Sequence, residues 1–502
     1  ACALSQIPAK KVLDMQIIKQ SVDARKKDAL SYTYTVHLVV DEHQKVKKNP
    51  AHVQEVHPVK YQIPAKPDKA AVIGAGPAGL FAAYELAQCG LCPQVYERGK
   101  AVEERQQDVE TYWSEGSLNP ESNVQFGEGG AGTFSDGKLN TLVKDKFGRS
   151  RYVLETFVKF GAPEDILYVA KPHVGTDVLR NVVTQMRQEI IRLGGTFHFS
   201  SKVTDLRMKD GNVCAIEING QEWHEVSHLV LAIGHSARDT FEMLYERQIP
   251  MAAKSFAVGM RVEHPQEMIN HSQYGTDADM SLLPTATYKL THQASNGRGV
   301  YSFCMCPGGF VVNASSEPQR LAVNGMSYRK RDSHNANSAI IVSVTPEDYP
   351  DGSHPLSGVA FQRDLEEKAW NLAKGKVPQQ LFGDFEQGKV STGYGSFESC
   401  VKGQHDFANL REIFPEALNE AFCEGMHAYG RKIVGFDRAD CILSGVESRT
   451  SSPVLIHRDE TFQSEIRGLY PCGEGAGYAG GIMSAAMDGL KVAEAILQQE
   501  MK

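Results

Sequence analysis

The chain lacks the features of membrane-spanning and nucleic-acid-binding proteins. None of its uninterrupted apolar runs reaches the length of a membrane span. Neither sign of charge dominates, because 53 Lys and Arg residues stand against 61 Asp and Glu residues, with a net charge of −8. The two signs are interspersed, so no basic surface for nucleic acid is expected. The hydrophobic content of 41% is enough for sizeable cores, and the length of 502 residues suggests more than one domain.

The cysteines lack the regular spacing of a disulfide framework. Ten are scattered along the chain, which fits a reducing compartment. No signal-peptide pattern opens the sequence, and Ala1 stands first rather than Met. We therefore expect a cytoplasmic protein, with a plastid as the alternative if a transit peptide has been removed.

The most informative feature that is present begins at residue 70. Gly74, Gly76 and Gly79 form G-x-G-x-x-G between the apolar stretch Ala70 to Ile73 and an Ala-rich helix. In such a unit the first glycine makes a tight turn, the second lets backbone amides approach a pyrophosphate, and the third lets helix and strand pack closely. The start of the helix offers free N–H groups to the phosphates. That first turn carries Pro77 and Ala78.

Glu97 and Arg98 complete this pattern at the end of the next strand. Glu97 follows Gly74 by 23 residues, where a carboxylate accepts hydrogen bonds from both ribose hydroxyls. Strand, helix, second strand and terminal acid are all in register. The sequence therefore predicts a dinucleotide site, with a purely structural glycine turn as the alternative.

The composition divides the chain into four segments. Residues 1–66 read as a small α/β domain, and 67–250 hold the G-x-G-x-x-G of Gly74, Gly76 and Gly79, here called the fingerprint. Residues 251–430 look inserted, and 431–502 return to Gly-rich α/β character. Five local predictions follow from the residue pattern. They are strands at Val12 to Ile18 and Tyr32 to Val40, a charged turn of helix at Ser21 to Lys27, a Pro-bearing linker at 63–68, and an amphipathic helix at Val178 to Leu193.

The C-terminal segment narrows the kind of dinucleotide. Residues 468–489 read as a strand, a Gly-rich turn and a helix, and they contain a second G-x-G-x-x-G at Gly475, Gly477 and Gly480. The given sequence ends at Lys502, so no second strand with a ribose acid follows. A second nucleotide domain is therefore not expected here.

The two Gly-rich segments together resemble the glutathione-reductase-type flavoprotein fold. The resemblance implies that FAD is the cofactor and that Glu474, after Gly473, takes the place of the acid that binds the ribityl chain, which is Asp in most relatives. It also implies that Gly480, Gly481 and Ile482 aim N–H groups at the flavin pyrimidine edge. A positive dipole there stabilises the anionic reduced flavin. By the same resemblance, backbone around Val203 contacts the adenine, and Gly234 forms a small-residue turn beneath the FAD.

Four shorter segments resemble one narrower group. They are 127–138, 171–177, 302–309 and 447–453, and they are similar to the family of NAD(FAD)-utilising dehydrogenases, also called FAD-dependent proteins. The resemblance spans nearly the whole chain and implies an α/β fold. It comprises a Rossmann-like FAD-binding domain, an inserted α+β cap domain and a small N-terminal α/β domain.

Three further motifs receive less weight. Gly127 to Gly132 also spells G-x-G-x-x-G, but we expect a loop in which Gly130, Ala131 and Gly132 pack on the isoalloxazine ring; an NAD site is the alternative. The H-E-x-x-H at His224 runs into a β-branched strand, so no metal is expected. The C-x-x-C at Cys89 is read as two buried cysteines rather than a redox pair.

The candidates for chemistry lie beyond the fingerprint. Cys304 and Cys306 are two residues apart in a predicted strand, so both thiols are expected to face one pocket. Three roles stay open for them: electron relay, proton donation, or a structural role in the core. Arg449 and Arg261 are candidate anion anchors. Candidate proton carriers are His173 and His235. A salt bridge or a satisfied core residue is the alternative for each arginine and histidine.

Two classes of function stay open on this reading. The first is an FAD-dependent oxidoreductase that moves a hydride or electrons between FAD and a small, anionic substrate held by Arg449. The second is a non-catalytic flavin-binding or electron-transfer protein that docks a partner through residues 1–66. The sequence shows no separate NAD domain, so NAD(P)H is expected only as a transient donor.

Overall fold

The structure, a computed structural model, describes residues 1–41 and 70–499. The predicted linker at 63–68 lies outside these ranges. The strands are β1 (Val12–Asp23), β2 (Ser31–Val40), β3 (Ala70–Ile73), β4 (Gln94–Tyr96), β5 (Thr196–His198), β6 (Val203–Lys209), β7 (Asn212–Ile218), β8 (Glu222–Glu225), β9 (His228–Leu231), β10 (Met251–Ala253), β11 (Phe256–Pro265), β12 (Thr291–Gln293), β13 (Gly299–Cys306), β14 (Phe310–Asn313), β15 (Val323–Met326), β16 (Asn335–Val344), β17 (Val377–Leu381), β18 (Val401–Lys402), β19 (His405–Phe407), β20 (Ile442–Glu447), β21 (Val454–Ile456) and β22 (Leu469–Pro471).

The helices are α1 (Cys2–Ser5), α2 (Pro77–Gln88), α3 (Val102–Glu115), α4 (Arg149–Lys159), α5 (Thr176–Arg192), α6 (Arg238–Glu246), α7 (Gln266–Tyr274), α8 (Ser357–Ala373), α9 (Phe382–Gln387), α10 (Glu416–Gly430) and α11 (Ile482–Gln499). In the part of the chain that the structure describes, no helix is both long and apolar enough to cross a membrane.

A five-stranded parallel sheet carries the fingerprint. Its strand order is β22-β9-β3-β4-β5, so the C-terminal strand β22 lies beside β9 at one edge. One face of this sheet is covered by four helices, α2, α4, α5 and α11. These helices share an apolar core with the sheet. β3, β9 and β22 read as nearly continuous apolar runs because both faces of a parallel sheet are buried. The predicted α/β fold is confirmed, as is the amphipathic helix at 178–193, which is α5.

A seven-stranded sheet forms the core of the middle segment. Its order is β12-β13-β16-β11-β20-β17-β19, and its neighbours pair antiparallel except for β17 and β19. β20 (Ile442–Glu447) lies in this sheet beside β11, although the sequence boundary at 430 assigned it to the returning segment. We therefore propose that the middle unit extends to about residue 450.

The N-terminal segment is a hairpin in its described part. β1 and β2 pair antiparallel, with Val12 opposite Val40 and Asp23 opposite Ser31. The predicted turn of helix at Ser21 to Lys27 is wrong, because Ser21 to Asp23 complete β1 and the next residues form the hairpin turn. The charged residues there mark an exposed turn rather than a helical face.

Candidate functional site

The turn after β3 has the geometry that its glycines predict. Gly74 has a φ of 96°, a conformation that favours glycine, and its N–H donates to the carbonyl of Tyr96 at 2.8 Å. A Cβ on Gly79 would lie 1.9 Å from the carbonyl oxygen of Gly74, so α2 packs directly on the turn. A Cβ on Gly76, in contrast, would meet only the Cα of Gly130, at 3.8 Å. Gly76 therefore faces open space where Gly79 does not.

Glu97 holds backbone amides together behind this turn. Its side chain is buried, and Oε2 accepts from the N–H of Ala75 at 2.8 Å. Oε1 accepts from the N–H groups of Gly99 at 2.9 Å and Gly127 at 3.0 Å. The carboxylate thus ties the fingerprint to the glycine-rich loop. The predicted ribose contact stays a prediction, and it would use the remaining acceptor capacity of this group.

Arg105, which the sequence reading missed, organises the glycine-rich loop. It is fully buried in α3, and burial lowers its pKa to about 10. Its guanidinium donates to five backbone carbonyls, those of Asn123, Val124, Gly127, Glu128 and Gly130. A buried arginine among carbonyls leaves no short sequence motif. The loop is therefore shaped by one side chain, and Gly130 lies against Gly76.

The C-terminal segment supplies the opposite wall. The N–H of Gly473 donates to Oδ2 of Asp488 at 2.8 Å. Oε1 of Glu474 lies 3.5 Å from Nδ1 of His235, whose Nε2 is buried without a partner among the described residues. Gly480 and Gly481 have open space where a Cβ would be, and α11 begins at Ile482.

One cavity of about 350 Å³ joins these walls. The predicted cofactor residues that line it are Gly74, Gly76, Pro77, Ala78, Glu97, Arg98, Gly130, Ala131, Gly132, Val203, Gly234, Glu474, Gly480, Gly481 and Ile482. Gly79 and Gly473 stand behind the lining. At one end Arg98 donates to both oxygens of Asp239, at 2.8 and 2.9 Å, and lies over the ring of Phe126.

The middle unit closes the other end of the cavity with Phe303, Cys304 and Asn324. Cys304 has a φ of 43°, which is uncommon for a residue with a Cβ, and the register shifts between Phe303 and Cys306. This irregularity breaks the alternation of β13. Cys304 lines the cavity, whereas Cys306 does not line it and is fully buried. The expectation that both thiols face one pocket is therefore wrong.

Arg261 holds Cys304 in place from behind. The guanidinium is fully buried and donates to the carbonyl of Cys304 at 2.8 Å. It also pairs with Glu447 through both oxygens, at 2.8 and 3.1 Å. The hydrogen bond from Cys306, with the charges of Lys138 and Arg261, holds the pKa of the Cys304 thiol well below its usual range. Arg261 thus supports the cavity wall and does not line it.

Arg449 lines the cavity but is already paired. It grips both oxygens of Glu366, at 2.9 and 2.8 Å, and also donates to Ser236 and Ser316. Glu366 is buried in α8 and accepts from Arg238 as well, at 2.8 and 2.7 Å. Burial would raise the pKa of Glu366, but the two arginines outweigh it and hold that pKa far below its usual range. This network joins α6 to α8.

The two predicted proton carriers differ in position. His235 lines the cavity, whereas His173 does not. Nε2 of His173 lies 3.1 Å from the carbonyl oxygen of Arg329, and burial with the charge of Arg331 lowers its pKa to about 4. His173 is therefore neutral at ordinary pH.

Comparison with known proteins assigns the chain to a family. Residues 255–450 match the family model described as FAD-dependent protein, C-terminal domain-like. Over 500 residues the chain is 48% identical to an uncharacterized protein of Clostridium beijerinckii. The aligned region covers 97% of this chain and 92% of that protein. The chain belongs to this family of FAD-dependent proteins. FAD is therefore its cofactor, as the resemblance to the glutathione-reductase-type flavoprotein fold implies.

The similarity between this FAD-dependent protein and solved structures is weaker. An L-proline dehydrogenase from P. horikoshii is 14% identical with a TM-score of 0.36, over 88% of this chain and 95% of that chain. A flavoprotein/dehydrogenase from Cytophaga hutchinsonii is 11% identical with a TM-score of 0.37, over 86% and 79%. Scores this low carry no information on activity.

The cavity itself fits FAD. Gly76, Gly480 and Gly481 leave space that a side chain would fill, and the first turn of α2 presents N–H groups at that space. The buried, unpartnered Nε2 of His235 is a polar atom that a ligand in the cavity would satisfy. The arrangement can hold a pyrophosphate at α2 and a polar ring edge at α11.

Proposed function

We propose that this FAD-dependent protein is an oxidoreductase that transfers a hydride or electrons between FAD and a small substrate. The observation that carries this proposal is the continuity of one cavity from the fingerprint turn at Gly76 to the β13 residues Phe303 and Cys304. A cofactor held only for electron storage needs no such second compartment. When bound, FAD supplies the capacity to take up or release a hydride.

The residues of the chain take three roles in this proposal. Gly480, Gly481 and Ile482 direct the start of α11 at the flavin and favour negative charge there. Cys304, whose lowered pKa favours the thiolate, is the candidate that takes a proton from the substrate, and Cys306 is its hydrogen-bond partner. Glu366 and Ser316 hold Arg449, so its part is to fix the wall between the two units.

Anaerobic reduction of the bound flavin tests the proposal. FAD-loaded protein is mixed with NADH, NADPH and a panel of reduced metabolites while flavin absorbance is followed. We expect one metabolite class to bleach the flavin rapidly, with NAD(P)H acting, if at all, as a transient donor because the described residues form no second dinucleotide domain. Failure of every small-molecule donor, together with rapid bleaching by a reduced protein, would favour an electron carrier.

One observation favours that carrier alternative. The hairpin β1–β2 exposes apolar side chains, among them Leu13, Met15 and Tyr34. If the hairpin docks a redox partner, Met15→Glu should slow reduction by that protein and leave reduction by dithionite unchanged. If the redox protein reduces Met15→Glu as fast as it reduces the wild type, the hairpin is not the docking surface.

A further inference from the structure

We propose that the cap end of the cavity binds a substrate carboxylate, and that Lys138 holds it. This inference rests on the proposed function, since it names the class of substrate for that same cavity. Lys138 lines the cavity, and its side chain is 30% exposed. Within residues 1–41 and 70–499, its amine makes a single ion pair, with Oδ2 of Asp136 at 3.9 Å. That separation is too long for a hydrogen bond.

Asp136 is committed to other partners. The carboxylate is 1% exposed, and its Oδ1 accepts from Nε of Arg331 at 3.0 Å. Its Oδ2 accepts from Nη2 of the same guanidinium, and Ser327 donates its hydroxyl to Oδ1. Arg331 is thus the hydrogen-bonded partner of Asp136, whereas Lys138 acts on Asp136 through its charge alone. Among the described residues, the ammonium of Lys138 has no hydrogen-bonded counter-charge.

The other cations of the cavity wall differ from Lys138 in this respect. Arg449 is gripped by Glu366, and Arg98 by Asp239. Behind the wall, Arg261 is gripped by Glu447. An arginine with both ends of its fork engaged has little to offer a substrate anion. The predicted anchor, Arg449, is thus a weaker candidate than Lys138.

A second lysine adds to the positive charge at this end. Nζ of Lys171 donates to the hydroxyl of Thr287 at 2.7 Å. Burial, and then the charges of Lys138 and Arg331, lower the pKa of Lys171, so the three cations lie within electrostatic range of one another. They stand against the carboxylate of Asp136 and the thiol of Cys304, whose pKa the charge of Lys138 lowers. An anion entering here reduces their mutual repulsion.

The donors available match a carboxylate better than a phosphate group. Asn324 lines the cavity, and its Oδ1 accepts from Arg261 and from the N–H of Gly325, both at 2.8 Å. This leaves its amide N–H groups as donors in the cavity that Lys138 also lines. Lys171 and Arg331 do not line the cavity, so a bound anion would contact one ammonium and one neutral amide, which suit a single charge. The bound carboxylate would lie near Cys304, on which the charge of Lys138 also acts.

A binding titration tests this assignment without turnover. FAD-loaded protein is titrated with benzoate, benzamide and phenyl phosphate, and the change in flavin absorbance gives each dissociation constant. We expect benzoate to bind best, and Lys138→Met to weaken benzoate about tenfold or more, the scale of a lost charged hydrogen bond. Benzamide affinity should stay unchanged, and Lys138→Arg should restore much of the benzoate affinity.

Lys144→Met is the matched control, because Lys144 is an exposed lysine in the same loop and does not line the cavity. Melting of each FAD-loaded variant checks the fold. A benzoate constant within about twofold of wild type in Lys138→Met, equal loss in Lys144→Met, tighter binding of phenyl phosphate, or no binding of benzoate to wild type would each overturn the assignment. The titration reads binding, so it can succeed even if no donor bleaches the flavin.

Discussion

The parallel sheet and the antiparallel sheet face the same cavity, but they build its walls by different means. On the parallel side the wall is backbone: a glycine turn at Gly74, amides tied by Glu97, and a loop wrapped on Arg105. On the antiparallel side it depends on buried charge pairs, Arg261 with Glu447 and Arg449 with Glu366. The first side has the geometry of a fixed cofactor cradle. In the second, each buried charge depends on a partner side chain, so removal of one partner leaves the other charge uncompensated.

The largest expected effect belongs to the backbone side. Gly76→Val should abolish FAD retention, because its side chain enters the cavity, while the fold survives since only Gly130 lies nearby. Gly79→Val is the matched variant, and its Cβ would collide with the carbonyl of Gly74. We expect Gly76→Val to be colourless with a wild-type circular dichroism spectrum, and Gly79→Val to be misfolded. A yellow Gly76→Val protein would contradict the FAD assignment.

Loss of charge from the antiparallel side should cost stability. Glu366→Gln removes the bidentate counter-charge of the buried Arg449 and one of the two carboxylates paired with Arg238, so we expect the free energy of unfolding to fall by about 3–5 kcal/mol. Urea denaturation at pH 7 measures the change. The low folded-state pKa of Glu366 means that this stability is present above the unfolded pKa and is lost as pH falls. An exposed pair gives the control: Glu189→Gln should change stability by less than about 1 kcal/mol.

Glu97 tests whether the backbone side needs its own carboxylate. Glu97→Ala removes the acceptor for three amides and the predicted ribose contact, so FAD should bind more weakly by about 1–3 kcal/mol. Equilibrium dialysis with FAD, and with FMN for comparison, measures this loss. FMN lacks the adenosine ribose, so any weakening of FMN binding reports damage to the loop alone. Unchanged FAD affinity would move the ribose contact elsewhere.

The smallest effect on fold and cofactor is expected at the two cysteines. Cys304→Ser should leave the FAD spectrum nearly intact and yet suppress reduction by the true substrate, whereas Cys306→Ser should have the weaker effect. Because the pKa of Cys304 is lowered and that of Cys306 is raised, iodoacetamide at pH 7 should modify Cys304 first. Mass spectrometry of the single variants measures this. Rapid labelling that persists in Cys304→Ser would show that the reactive thiol is a different one.

The same contrast explains how far the sequence could be read. β3, α2 and β4 lie where the fingerprint predicts, because local glycine geometry and apolar runs specify them. The partners of Glu366 are remote along the chain, so no local pattern reveals that Arg449 is already paired. The exposure of Cys304 without Cys306 depends on a local register shift, which period-two alternation does not anticipate. Lys138 stands out only once the partners of Asp136 are known.

The contact between α2 and α11 has a consequence for how the protein is made. These helices pack together beside the fingerprint turn, yet they are far apart in the sequence. During synthesis the fingerprint leaves the ribosome well before Gly480, Gly481 and α11. Contacts so distant in sequence form slowly, and larger chains pass through partly folded states before they form. Cofactor capture therefore has to wait until these two distant segments of the chain have packed together.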